Sequence, residues 1–484
     1  MKFHSIDRRS WVRGGPVAFA VSLVTLAACF QREDYGTEWS SPPVPIDVST
    51  AGAGTSGAAG AAGTGTSNTP SGTPTGGTGG TLGAPDAGLA APDGGMASPD
   101  AGMPMMPASC EGEVVCTGGK ASGFGCKGVN YLAHFTPQDL QGSSANDHWG
   151  WEDPMSGKEY AVVGMDTGTS FVDISDPCNP VHLGHLRTNS QPNMWRDVKV
   201  YKNHAYMVSE AQGHGVQVFD LTKLRNVTNP PETFQADNVL TSLGSAHVII
   251  INEESGYAYA VATNNCFSAR SIDLKDPKNP VDLGCWGTSN RIHEGQCVTY
   301  HGPDTRYTGK EICVTGDEGK GFSVYDVTNK AAVTKIVTEA YQGVAYAHQG
   351  WLTEDHKYLI FSDELDEQLF GFKTTLYLYD MTDLTNPVST GKWVGTLPAI
   401  DHNIYIRGNF AYMASYSAGL RVFDITNVGS GSLTEVGFFD TYPANDSAQF
   451  LAMWAPYPFW KSGVVTTSGA EGFFVLRPDP SWIQ

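Results

Sequence analysis

Three features of the sequence predict an all-β fold built from repeats. An apolar alternation closed by an acidic residue recurs, at intervals from 44 residues (Asp380 to Asp424) to 54 residues (Asp326 to Asp380). The apolar runs are short, lack a 3.6-residue period, and are separated by the turn residues Gly, Asn, Asp and Ser. A unit of about 50 residues with several strands is typical of a propeller blade, because it must stack on copies of itself to bury its apolar face. The closing acids are Asp173, Asp220, Asp273, Asp326, Asp380 and Asp424, and a degenerate seventh copy has Leu476 at this place. The sequence therefore predicts a seven-bladed β-propeller of four-stranded antiparallel blades.

A second element follows the acid in several copies and supplies the fourth strand. It is clearest in DPCNPVHLG (176–184), DPKNPVDLG (276–284) and DLTNPVSTG (383–391). An Asp or Asn side chain can accept a hydrogen bond from the backbone that follows it, and Pro donates nothing to a strand ladder. We therefore expect a turn that leads into an outer edge strand.

The last copy ends near Arg477, soon after its third strand. A closed ring needs a fourth strand there, and the unassigned stretch between Cys116 and Phe135 is available. We expect this stretch to pair beside residues 473–476 and so to remove an exposed edge.

The first 28 residues have the composition of a signal peptide. Four basic residues precede the apolar run 17–26, which is too short to span a bilayer. The run ends in Leu26-Ala27-Ala28-Cys29, which resembles the lipobox of bacterial lipoproteins and predicts a lipid anchor on Cys29. An ordinary signal peptide is the alternative, and Arg8-Arg9 faintly resembles a twin-arginine signal.

Residues 29–108 are predicted to form a disordered tether before a propeller domain at 109–484. From residue 40 this stretch is almost wholly Gly, Ala, Ser, Thr and Pro, and it has too few large apolar groups to offset its ordering entropy. Removal of residues 1–28, whose net charge is +3, takes the chain from −20 to −23. Such a charge argues against nucleic acid and against electrostatic docking on anionic lipid, so we expect membrane attachment through the lipid alone.

Eight cysteines remain after Cys29, an even number in a chain that looks exported, so disulfides are expected. Cys297 and Cys313 lie on consecutive predicted strands, and Cys266 and Cys285 bracket the third and fourth strands of one repeat. Cys178 and the N-terminal Cys110, Cys116 and Cys126 would tie the start of the domain to its first repeat. A zinc site is the weaker alternative, because no CxxC occurs.

Long strings of the sequence, such as residues 198–225, 244–261, 348–367 and 399–425, resemble the LVIVD-repeat propellers of bacterial surface proteins, specifically the choice-of-anchor B family. The resemblance covers residues 110–480. It implies an exported or surface propeller of unassigned activity, in which Cys29 would be the anchor, and it provides no catalytic residues to transfer.

A histidine begins the innermost predicted strand of several blades, where side chains line the axial channel. Converging imidazoles could bind a divalent transition metal or, when protonated, an anion. The alternative is that each histidine bonds a neighbouring blade as a fastener. Arg196 takes the equivalent place in blade 2, and the place in blade 7 falls near Leu451. The candidate metal ligands are His148, His247, His293, His348 and His402.

Four carboxylates follow a predicted strand at residues 358–361 and form a candidate calcium loop, because Ca²⁺ prefers dense oxygen ligands. They are Asp363, Glu364, Asp366 and Glu367. A solvated acidic loop is the alternative interpretation.

The sequence as a whole favours a monomeric, lipid-anchored binding or scaffold module at the bacterial cell surface, with a cell-surface protein or glycan as its ligand. The rival hypothesis is a metal-dependent enzyme in which the histidines are ligands and Asp401 or Glu294 is the base.

Overall fold

The predicted repeats form seven β-sheets in the computed structural model, which describes residues 110–288 and 290–482. Each sheet contains four strands that pair antiparallel as a blade, so the seven-bladed propeller is confirmed. The signal segment, Cys29 and the tether at 29–108 lie outside the described residues. Among the described residues, no helix has the length and apolar character needed to cross a membrane.

The strands follow one another around the ring. Before the first blade lie β1 (Lys120–Ala121), β2 (Phe124–Lys127) and β3 (Val129–Phe135). Blade 1 contains β4 (Ala145–Glu152), β5 (Glu159–Met165), β6 (Gly168–Asp173) and β7 (Val181–Arg187). Blade 2 contains β8 (Arg196–Tyr201), β9 (His204–Ser209), β10 (Val216–Asp220) and β12 (Asn238–Leu240), while the intervening β11 (Glu232–Phe234) pairs parallel to β7. Blade 3 contains β13 (Val248–Asn252), β14 (Tyr257–Thr263), β15 (Cys266–Asp273) and β16 (Val281–Cys285).

The remaining blades complete the circle. Blade 4 contains β17 (Glu294–Thr299), β18 (Glu311–Gly316), β19 (Phe322–Asp326) and β20 (Thr334–Glu339). Blade 5 contains β21 (Ala347–Leu352), β22 (Tyr358–Asp363), β23 (Thr375–Asp380) and β24 (Val388–Val394), with the short helix α1 (Asp366–Phe370) between β22 and β23. Blade 6 contains β25 (Ile404–Arg407), β26 (Phe410–Ser415), β27 (Gly419–Asp424) and β28 (Thr434–Phe439). Blade 7 contains β29 (Met453–Tyr457), β30 (Val465–Gly469) and β31 (Gly472–Pro478), and β3 joins it. The described residues also form short 3-10 helices at Leu221–Asn226, Thr241–Leu243, Tyr416–Ala418, Val428–Ser430 and Pro480–Trp482.

The repeated acid has a local structural reason. It is the last residue of the third strand in blades 1 to 6, and in each case its carboxylate accepts a hydrogen bond from the backbone N–H two residues later. This is the turn that ends the strand and directs the chain toward the outer edge. Asp176 and Asp276 repeat the same bond in the predicted second element.

The apolar core is divided among the interfaces between blades. Each pair of adjacent blades buries its own cluster of side chains. Between blades 1 and 2, for example, Phe171 and Phe219 are fully buried and stack with ring centroids 4.6 Å apart. Burial of such a side chain contributes about 1.5–3 kcal/mol. Because every blade needs both neighbours, closure of the ring completes the core.

The ring closes as predicted, although with a shorter segment. β3 pairs antiparallel with β31, with Val129 opposite Pro478 and Phe135 opposite Phe473. The first part of the expected closing stretch does something else, since β2 pairs with β28 and extends blade 6. The N-terminal segment therefore links blade 6 to blade 7, because it pairs with a strand of each.

All eight remaining cysteines are paired. The expected pairs 297–313 and 266–285 are confirmed, and Cys297 lies directly opposite Cys313 in the ladder between β17 and β18. In the N-terminal group, Cys110 pairs with Cys178 of blade 1, whereas Cys116 pairs with Cys126. Two of the four disulfides thus flank the closing strand.

Candidate functional site

Four of the five predicted histidines lie side by side at the axis. His247 and His293 directly precede β13 and β17, His348 is the second residue of β21, and His402 lies two residues before β25. Because adjacent innermost strands contact each other around the axis, the rings form a row with centroids 4.5, 4.7 and 4.2 Å apart. Each side chain is at most 3 % exposed. We call these four residues the histidine row.

The outward nitrogen of three of these rings is held by a fixed acceptor. His247 Nδ1–H donates to Glu210 Oε1 (2.7 Å), and His402 Nδ1–H donates to the backbone oxygen of Trp454 (2.6 Å). His293 Nδ1 lies 2.9 Å from the hydroxyl of Tyr346, which itself donates to Glu318. This hydroxyl therefore accepts from His293. A proton on Nδ1 leaves Nε2 with a free lone pair.

At His293, His348 and His402 the Nε2 lone pair has no hydrogen-bond donor. Nε2 of His293, Nε2 of His402 and both ring nitrogens of His348 are buried without a hydrogen-bond partner. Glu364 lies among them, with Oε2 at 3.7 Å from His348 Nε2 and Oε1 at 3.5 Å from His402 Nε2. Ligand atoms of His293, His348 and Glu364 all lie within 4.8 Å of one another. Tyr416 donates to Glu364 Oε1 (3.0 Å) and fixes its orientation.

Burial sets the protonation state of the row. Burial and the neighbouring imidazoles hold the pKa values of His293 and His348 well below the usual range, and burial lowers the pKa of His402 to about 3. Burial lowers the pKa of His247 as well, but the Glu210 carboxylate more than offsets this, so that pKa is raised. His293, His348 and His402 are thus neutral, which is the form that binds metal ions.

A small cavity borders the row. It measures about 120 Å³ and is lined by innermost-strand residues that include Trp149, Lys199, Trp351 and Tyr405. Glu294 belongs to this lining, and its Oε2 lies 4.0 Å from His348 Nε2. Burial raises the pKa of Glu294 to about 8. This carboxyl group therefore links the cavity to the histidine row.

His148, the fifth predicted histidine, is a fastener between blades and does not join the row. Its Nδ1 lies 2.7 Å from the Ser468 hydroxyl, and its Nε2 lies 2.7 Å from the Thr466 hydroxyl, both in blade 7. Ser468 donates to the backbone oxygen of Asn146, so it accepts from His148. The expectation that His148 is a metal ligand is therefore corrected, because both of its ring nitrogens are occupied.

The row ends at blades 2 and 7 for different reasons. In blade 2, Arg196 turns toward His214 Nε2 (3.0 Å) and the Thr188 hydroxyl. In blade 7, Trp454 reaches the row in place of Leu451, and its ring centroid lies 4.5 Å from that of His402. The site is consequently confined to blades 3 to 6.

The acidic stretch after β22 is neither a solvated loop nor a single four-ligand site, because its carboxylates are buried and have different partners. Asp363 accepts hydrogen bonds from Tyr341 and from three backbone N–H groups, which places it in a structural turn. Glu364 joins the histidine row. Asp366 and Glu367 instead group with Asp401. The predicted calcium loop is therefore not assembled from its four residues.

The sequence analysis missed Glu210 and Tyr416 and assigned Glu364 to a calcium loop, although a signal for their place beside the row exists. Glu210 and Glu364 each follow directly after the second strand of a blade, and Tyr416 occupies the same place in blade 6. This position faces the next blade's histidine, as Glu210 does for His247. Aligning the residue after the second strand across copies would have found them.

Comparison with known families gives a match to one repeat model. The LVIVD repeat model matches residues 155–188, in blade 1, and residues 401–441, in blade 6. Two of the seven blades thus match the LVIVD repeat model. The matched stretches include the acid-closed third strands of both blades, which is the signature that the sequence repeats.

No curated protein matches this chain. Among solved structures, the WD40 beta propeller domain of Doa1 is similar over 72 % of this chain and 96 % of that one, at 12 % identity and a TM-score of 0.47. The computationally designed Ika8 protein is similar over 69 % of this chain and 83 % of that one, at 10 % identity and a TM-score of 0.42. Neither likeness bears on function.

Proposed function

We propose that this LVIVD-repeat propeller is an exported binding module that holds a transition-metal ion on its axis. His293, His348 and Glu364 would be the ligands, and His402 would be the fourth. The observation that carries this proposal is the set of buried Nε2 atoms with no hydrogen-bond partner. Leaving a buried polar atom without a hydrogen bond costs about 1–3 kcal/mol. A metal ion that coordinates several of these nitrogen atoms would offset that cost at each of them.

The surroundings of the row support this reading. Metal-bound histidines usually donate their other ring N–H to a carboxylate or a backbone carbonyl, which fixes the ring and its tautomer. The Trp454 carbonyl supplies such an acceptor for His402, and the Tyr346 hydroxyl accepts from His293. A core histidine that merely packs needs partners on both nitrogens, as His148 has.

The ligand chemistry selects the class of metal. Neutral imidazoles with one carboxylate suit Zn²⁺, Cu²⁺ or Fe²⁺, whereas Ca²⁺ and Mg²⁺ prefer oxygen ligands alone. We therefore propose a late first-row transition metal.

A metal-dependent enzyme is the second candidate, and Glu294 favours it. Its carboxyl lies between the histidine row and the 120 Å³ cavity, where it could move a proton at a small molecule near the metal. A bound water occupies about 30 Å³, so the cavity suits a substrate of a few heavy atoms. The binding role needs no such group.

Metal analysis of protein purified without a histidine tag tests the proposal. We expect about one transition-metal ion per chain, lost when His348 and His402 are both changed to Ala. His301→Ala is the matched control, because His301 is an exposed histidine outside the row that pairs with Glu254. Wild-type protein that takes up no Zn²⁺, Cu²⁺ or Fe²⁺, or a double variant that retains the metal, would contradict the proposal.

Changing Glu294 to Gln separates the two candidates. For an enzyme, the variant should keep its metal and lose turnover on small hydrolysable substrates by about 10²–10⁴-fold. For a binding module, it should keep its metal and alter only the affinity for a molecule in the cavity.

We also propose that the chain is exported and anchored by a lipid on Cys29, with a cell-surface protein or glycan as its partner. Four disulfides support an oxidising compartment. Wild-type protein should incorporate labelled palmitate and sediment with membranes, whereas Cys29→Ser should do neither. Equal membrane association of the two would refute the anchor.

A further inference from the structure

A second cluster of ionisable groups lies next to the histidine row but contains only oxygen atoms. Asp366 and Glu367 begin α1 in blade 5, and Asp401 directly precedes His402 at the entrance to blade 6. Ligand oxygens of the three residues lie within 4.8 Å of one another. All three side chains are at least nine-tenths buried.

Several of these oxygens have no partner. Asp366 Oδ1, Asp401 Oδ1 and both oxygens of Glu367 are buried without a hydrogen bond. The other oxygen of each aspartate is fixed from outside the cluster: Tyr377 donates to Asp366 Oδ2 (3.0 Å), and the Thr375 N–H donates to Asp401 Oδ2 (3.1 Å). The unpartnered atoms are therefore held facing one another.

No positive side chain neutralises the cluster. Among residues 110–288 and 290–482, no lysine, arginine or histidine forms an ion pair with Asp366, Glu367 or Asp401. A proton on Glu367 is the competing way to reduce the charge, because the facing carboxylates of Asp401 and Asp366 could accept its O–H. Buried carboxylates require either a proton with an acceptor or a cation.

We propose that Asp366, Glu367 and Asp401 bind a hard divalent cation, with Ca²⁺ as the best fit. Three carboxylates offer up to six oxygens, which is in the range that Ca²⁺ takes, and they exceed its charge by one. Mg²⁺ fits less well, since it keeps several of its waters and demands octahedral geometry. This site joins blades 5 and 6 and does not rest on the proposed transition metal, because no ligand is shared.

Terbium luminescence on the full chain, stripped with a chelator, tests the proposal. Tyr377 donates to Asp366, so excitation of tyrosine should sensitise Tb³⁺ bound there. We expect Tb³⁺ emission that CaCl₂ displaces and that MgCl₂ displaces poorly. Glu367→Gln and Asp401→Asn should weaken Tb³⁺ binding at least about tenfold, and Glu471→Gln, at an exposed acid, should leave it unchanged.

Thermal unfolding gives a second readout that does not depend on the variants folding. Wild-type protein should melt at a higher temperature in CaCl₂ than in chelator. Equal melting temperatures, or Tb³⁺ binding that survives both substitutions, would overturn the proposal and leave shared protons as the explanation. Transition-metal content measured on the same samples reports the axial site separately, so the two proposals fail independently.

Discussion

The disulfide between Cys110 and Cys178 should contribute more to stability than the one between Cys116 and Cys126. Residues 110 and 178 are 68 positions apart, whereas residues 116 and 126 are 10 apart. In the chain-entropy relation, a crosslink restricts the unfolded chain more when it closes a longer loop. That relation gives about 4.4 kcal/mol for the first disulfide and about 2.7 kcal/mol for the second at 25 °C.

The measurement compares two double Cys→Ala variants, one for each disulfide, under oxidising conditions. Urea unfolding followed by tryptophan fluorescence should give a lower midpoint for the 110/178 variant than for the 116/126 variant. The second variant is the matched control, because both disulfides flank the same closing strand. Equal losses, or a larger loss in the 116/126 variant, would refute the reasoning from loop length.

Three further predictions concern single residues near the axis. Lys199→Met leaves two buried aspartates without their cation, and we expect a loss of about 3–5 kcal/mol in urea unfolding. Burial lowers the pKa of His148 from 6.5 to about 3. Below pH 6.5 the unfolded chain therefore binds a proton at this histidine that the folded chain does not, and the free energy of unfolding falls as the pH drops toward 3. At pH 5 the free energy of unfolding should be about 2 kcal/mol lower than at neutral pH because of this group. His148→Gln has no titrating group there, so its melting temperature should depend less on pH. Gly316→Ala puts a methyl group 2.1 Å from the His348 backbone oxygen and should cost about 1–3 kcal/mol.

Each of these has an outcome that contradicts it. An unchanged urea midpoint for Lys199→Met would mean that water or a rearrangement neutralises the aspartates. A His148→Gln profile parallel to that of the wild type would place the acid sensitivity elsewhere. Gly319→Ala is the control for Gly316→Ala, since its added Cβ meets nothing within 4 Å, and equal effects of the two would refute the steric argument.

The repeats were predictable because their cause is local. Each closing aspartate makes a turn with backbone two residues away, so the same letters recur wherever the third strand ends. The closing strand also followed from counting strands per blade. The extra strands β2 and β11 could not be foreseen, because they pair with sheets whose sequence lies far from their own.

The site was predictable in part for the same reason. The positions of His293, His348 and His402 follow from their place in the blade, which the repeat reveals. His148 does not join the row because its ring nitrogens contact the Ser468 and Thr466 hydroxyls, which lie more than three hundred residues away in the sequence. The density of acids after β22 suggested one loop, but Asp363, Glu364 and the pair Asp366 and Glu367 each have different partners, which come from distant parts of the chain.

The position of Cys110 determines how a pull on the preceding chain would reach the propeller. Tension arriving at this residue meets a covalent bond to Cys178 in blade 1 before it meets the hydrogen bonds between β3 and β31. The force would therefore pass into blade 1, and the hydrogen bonds between β3 and β31 that close the ring would not carry it.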